Sequence, residues 1–174
     1  MVILTFQTSS LEEYKNDESN KQDDAAILEV TGFELPVMFL VNNTNLFEIT
    51  REEVVLTYHE ETRSFEPIIK SITSSWLSMP ILNFALNGLE AVRQVYQGKS
   101  IDFGLPEIGS WLRFQVRDKE VEIYSEINEK TAIADSLELL QAFETFRGKV
   151  RDFLGTELPH LREYAYWNSW FKDE

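Results

Sequence analysis

The apolar residues of this chain keep two different periods, and the places where one gives way to the other restrict the class of fold. In EVVLTYH (53–59), Val54, Leu56 and Tyr58 point one way and Val55, Thr57 and His59 the other, the period-two signature of a strand. VILTFQT (2–8), AAILEVTGF (25–33) and LPVMFLV (35–41) also read as strands, the last two split by Gly32 and Pro36. NNTN (42–45) reads as a turn, because Asn tolerates left-handed backbone angles. After Pro67 the period lengthens. Ile68, Ile69, Ile72, Trp76 and Leu77 recur at helical spacing and predict a helix opened by Pro67, with Pro80 ending it or starting the next.

Leu82, Leu86, Leu89, Val92 and Tyr96 form a second helical stripe closed by Gly98. Asn87-Gly88 interrupts it, and Asn87 with Glu90 spells a capping box, so two short helices are the alternative to one long one. SIDFGL (100–105) reads as a short strand. SWLRFQV and EVEIYSEI flank RDK and predict a hairpin over 110–127. Trp111, Arg113, Gln115 and Arg117 share one of its faces, and Leu112, Phe114 and Val116 the other. Asp135 and Glu138 make a capping box for a helix whose stripe is Leu137, Leu140, Phe143, Phe146, Val150 and Phe153, stopped by Gly155. A final helix starts near Pro159. Strands, helices, a hairpin and more helices give an α+β fold, with helices packed on one face of a mostly antiparallel sheet. No repeat or linker divides residues 1–174, so one domain is expected, and a chain of this length buries about 70% of its unfolded surface.

Charge narrows the partners. The formal net charge is −14, and residues 1–66 hold 14 acids against 4 bases, so most of the field comes from the front third. Such a surface repels nucleic acid and anionic lipid and attracts basic proteins; it also simply keeps a protein soluble. SSLEEYKNDESNKQDD (9–24) reads as an exposed acidic loop. MVILTFQTSS has no basic n-region, and Ser71–Leu89 is too polar for a membrane span. With no cysteine in the chain, a cytoplasmic location and no membrane association are the expectation.

The absence of cysteine removes thiol nucleophiles, thiolate zinc sites and iron–sulfur clusters. No GxxxxGK[ST], GxGxxG, GxSxG or HExxH is present. An EF-hand started at Asp17 fails, because Gln22 and Leu28 stand where Gly and Glu belong. No cofactor or metal site is therefore expected. The weak catalytic candidates are His59 and Glu61, which share a strand face in YHEE, where a nearby carboxylate raises a histidine's pKa. Ordinary surface charges at an exposed strand end are the simpler and preferred reading.

Aromatic residues crowd the C-terminal YAYWNSWF (164–171). On an ideal helix Tyr164, Trp167 and Phe171 share an inward stripe, while Tyr166 and Trp170 fall on the other side around Glu163. Trp76 and Trp111 are expected in the core. If exposed, Tyr166 and Trp170 are the residue types that dominate binding energy at interfaces. The expected partner-binding set is Asp17, Glu18, Asp23, Asp24, Glu60, Glu61, Glu163, Tyr166 and Trp170.

In size, acidity, lack of cysteine and lack of a catalytic motif, the chain is similar in class to the immunity proteins that neutralise bacterial toxins, many of whose targets are basic nucleases. No family motif carries that likeness, and it assigns no residue. The expectation is a non-enzymatic protein that binds a basic protein partner by occlusion. A small carboxylate- or His59-dependent enzyme and a homo-oligomeric structural component are the alternatives.

Overall fold

The computed structural model describes residues 1–8, 34–59, 63–163 and 165–171; the expected acidic loop 9–24 and strand 25–33 lie outside them. The fold is α+β, and every strand pairing is antiparallel among the described residues. In β2 (Glu34–Val41) Leu35, Val37, Phe39 and Val41 are buried in strict alternation, which commits one face of the strand to the core. Along one edge lies β1 (Val2–Phe6), with Val2 opposite Val41 and Phe6 opposite Val37. The other edge takes β3 (Thr44–Asn45) and β6 (Leu77–Pro80). The Asn-Asn turn before β3 has φ of 47° at Asn42 and 68° at Asn43, left-handed angles that Asn accepts readily.

The second sheet is a meander of β7 (Ile101–Leu105), β8 (Ser110–Arg117), β9 (Glu120–Ser125) and β10 (Lys130–Asp135). Its inner face is Leu112, Phe114, Val121, Ile123, Ala132 and Ala134, all buried, as the alternation of the hairpin requires. Both sheets share one continuous apolar core with helices α1 (Ile81–Tyr96) and α2 (Ser136–Glu157).

The Asn87-Gly88 pair does not break α1. Gly88 lets the two helices close on each other: a Cβ there would stand 2.7 Å from Cε1 of Phe143. Pro80 precedes α1 as its N-cap residue, and Tyr96, at its end, is exposed rather than part of the inward stripe. In α2 the cap is half of the expected box. Asp135 accepts from the backbone N–H groups of Leu137 and Glu138, while Glu138 accepts instead from the backbone N–H of Val2, tying β1 to the helix. Gly155 lies inside α2, which runs on to Glu157.

Two of the expected helices are not formed as expected. The helix expected after Pro67 is strand β5 (Ser64–Ser74), paired along its whole length with β4 (Ile49–His59). Ile68, Ile69, Ile72 and Thr73 are β-branched, stiff at χ1, and suited to a pleated surface, and an eleven-residue partner is at hand. The last helix is divided: a 3-10 turn at Pro159–Glu163 precedes α3 (Ala165–Phe171), so angles drawn for one continuous helix do not apply.

Candidate partner-binding surface

β4 and β5 form a two-stranded ribbon of their own, belonging to neither four-stranded sheet. Among the described elements, they pack substantially only on each other. At about 3.4 Å per residue the ribbon is some 35 Å long, an arm rather than part of a layer. Its root is held firmly. Ile49 packs against the core. The amide of Asn45 donates to the carbonyl of Ser75 at 2.8 Å, and that of Asn128 to the carbonyls of Asn45 and Glu48 at 3.0 and 2.9 Å. Lys130 pairs with Glu48, and the hydroxyl of Ser74 donates to the carbonyl of Trp76. The buried hydroxyl of Ser125 reaches the carbonyl of Leu46 at 2.6 Å, joining the meander to the loop before the arm.

The register sorts the arm's side chains. Directly opposed residues share a face, so one face carries Val54 with Ile69, Leu56 with Pro67, and Tyr58 with Phe65. All six face solvent. Exposure is 64% at Val54, 62% at Leu56, 50% at Tyr58, and 65% at both Phe65 and Ile69. The rings of Tyr58 and Phe65 touch, with centroids 5.1 Å apart, and so form one platform at the end of the patch. The opposite face is mixed: Arg51 bonds Glu53 at 2.8 Å, and Lys70, Val55, Ile68, Thr57 and Glu66 follow. The period-two alternation of 53–59 is therefore real, but its apolar side looks outward.

A two-stranded hairpin alone in water is marginal, and contiguous apolar surface of several hundred Å² on a soluble protein marks a contact site. Sequence reasoning missed this face because a hydrophobic pattern says which residues avoid water, not whether they avoid it in their own core. The signal that could have found it was the pairing of two eleven-residue segments around residues 60–63.

Most of the expected site residues are not among those the structure describes. Asp17, Glu18, Asp23, Asp24, Glu60 and Glu61 lie outside the described residues, as does the side chain of His59. His59 itself ends β4 opposite Ser64, at the far end of the arm. Among the described early acids, Glu48 is paired with Lys130, Glu53 with Arg51, and Glu34 accepts from Ser78. Glu163 is exposed at the end of the 3-10 turn. Tyr166 is exposed and stacks on Trp170, with centroids 6.0 Å and planes 20° apart. Trp170 is half-buried against the core, and its carbonyl accepts from Arg147 at 2.8 Å. Phe171 is buried and Trp167 half-buried, which anchors α3 as its sequence implies.

Trp76 and Trp111 are half-buried rather than in the core. Trp111 sits on the outer face of the meander beside Arg113, whose guanidinium lies 4.5 Å from the indole centroid, and Tyr124. Arg113 also binds Asp102 at 2.8 Å. That hydrogen bond holds the Asp102 carboxyl below its ordinary range, and the same contact raises Arg113.

For small-molecule chemistry there is little room at the start of α1. The recess between Asn83, Phe103 and Glu107 admits about 50 Å³, against about 300–1,000 Å³ for small-molecule sites. An open groove of about 690 Å³ lies along Arg151, Trp167 and Phe171. Among the described residues, no three His, Asp or Glu side chains gather as metal ligands, and no helix is long and apolar enough to cross a membrane. No family model, curated protein or solved structure matches the chain.

Proposed function

We propose that this chain is a non-enzymatic, acidic protein-binding protein whose contact surface is the apolar face of the β4–β5 arm. One observation carries the reading: six apolar residues on three consecutive rungs face solvent on a ribbon that, among the described residues, is held at its root. Such a ribbon spends stability and solubility, and both are recovered when a protein covers it.

The net charge of −14 points to a basic partner, attracted over distance by the acid excess and held by the arm. Neutralisation of a basic toxin by occlusion, in the manner of an immunity protein, is the narrower form. What supports that form is charge alone.

The test is binding of the immobilised chain to basic proteins encoded beside its gene, at low and high salt. A true partner associates more slowly as salt rises, and the Leu56→Asp/Ile69→Asp double variant binds it at least about 30-fold more weakly. A partner that binds both forms equally would remove the arm from the interface.

A further inference from the structure

We infer that the apolar face of the arm is covered, in the free protein, by the same face of a second copy, in a two-fold dimer joined through the arms alone. This rests on the arm being a protein-binding surface and adds its occupant. The three rungs are Val54–Ile69, Leu56–Pro67 and Tyr58–Phe65. Laid face to face on a copy running the opposite way, the middle rung meets itself and the aliphatic rung meets the aromatic one. Small then faces large on both sides of the axis, the self-complementarity that a two-fold contact requires. These rungs carry no charged side chain, so closing the contact strands no buried charge. With most of each side chain exposed, the face offers about 500 Å² per copy, or about 1,000 Å² per pair, the lower bound of a specific interface.

Charge selects the orientation. Residues 49–74 hold five acids and three bases, so nearly all of the −14 resides outside the arm. Seven residues separate Ile49 at the root from Leu56 on the axis. At about 3.4 Å per residue, opposed arms therefore keep the roots about 50 Å apart, several times the Debye length of about 8 Å. Arms running the same way would set the two acidic bodies side by side. The opposed arrangement leaves the mixed face, with Arg51, Glu53 and Lys70, in solvent.

Sedimentation equilibrium of the purified chain from about 1 to about 100 µM tests this, and the mass should approach twice 20.3 kDa. Leu56→Glu and Leu56→Lys, each placing like charges across the axis, should each weaken the dimer by about 100-fold or more, and an equimolar mixture of the two should restore it. Circular dichroism checks that both variants fold. Should either not, Leu56→Cys in this cysteine-free chain should be joined by a short bismaleimide, and Lys70→Cys on the rear face should not.

A monomer at every concentration would overturn the inference. So would a dimer indifferent to both charge variants and uncoupled at Leu56→Cys. A monomer that still binds a basic partner through Leu56 leaves the proposed function intact; arm variants that change no association at all defeat both.

Discussion

The contact of α1 with α2 gives two glycine substitutions opposite signs. Gly88 lies in α1 and Gly148 in α2, and replacing an interior helix glycine by alanine ordinarily stabilises by about 0.5–1 kcal/mol. At Gly148 a Cβ meets nothing within 4 Å, so Gly148→Ala should realise that gain. At Gly88 the new Cβ would lie 2.7 Å from Cε1 and 3.2 Å from Cδ1 of Phe143. Phe143 cannot swing away freely: it is fully buried, edge-on to Phe39 at 5.7 Å and tilted against Phe84 at 5.8 Å. Overpacking of this kind costs about 1–3 kcal/mol, which outweighs the propensity gain and leaves a net loss of about 1–2 kcal/mol. Urea unfolding reads both. With a slope of about 2 kcal/mol/M, Gly148→Ala should raise the midpoint by about 0.3–0.5 M and Gly88→Ala should lower it by about 0.5–1 M. A stabilised Gly88→Ala protein would refute the close approach of the two helices.

Three further outcomes follow from particular contacts. Asp135→Ala removes the acceptor for two backbone N–H groups at the start of α2, and should cost about 1 kcal/mol in the same urea assay. Replacing residues 51–72 by Asn-Gly, which closes the arm just beyond the Thr50–Thr73 rung, should leave the urea midpoint within about 0.3 M of the parent when both are dilute enough to be monomeric, because the shortened arm retains the residues that touch the core. In an NMR titration Asp102 should lose its proton below the ordinary value of about 3.9, and Arg113→Ala should return it to that value. The sign is that of a depressed carboxylate: any stabilisation is present above the unfolded-state pKa and disappears as pH falls through the folded-state one. Both side chains are solvent-exposed, so the titration, not the unfolding midpoint, is where the effect should be read.

Much of the fold was legible because its elements keep their periods. Leu112 and Phe114 alternate with Arg113 and Gln115 across a sheet with one wet face, and Phe143, Phe146 and Val150 return at helical spacing on α2. Where one signal stood for two structures, reading failed. Ile68, Ile69 and Ile72 satisfy a helical spacing, yet pairing with β4 and β-branched stiffness outweigh it. β10 escaped because its inward residues, Ala132 and Ala134, are too small to give an apolar pattern.

The exposed apolar face was half legible. Val54, Leu56 and Tyr58 were placed on one face correctly, but a single strand does not reveal that its partner doubles the patch with Phe65, Pro67 and Ile69. The acid excess is plain in the sequence, but the described acids are partly matched internally, as Glu48 with Lys130 and Glu53 with Arg51 show.

Hydrogen exchange by mass spectrometry, followed for peptides within residues 49–74 against concentration and against an added basic partner, reads most directly whether the arm is a surface that another protein covers. Peptides of the arm should exchange quickly at high dilution and slow down as protein or partner is added, while those of α1 and α2 stay unchanged. Arm peptides as slow as α2 at the highest dilution would mean that the chain covers the arm itself, and would contradict the account.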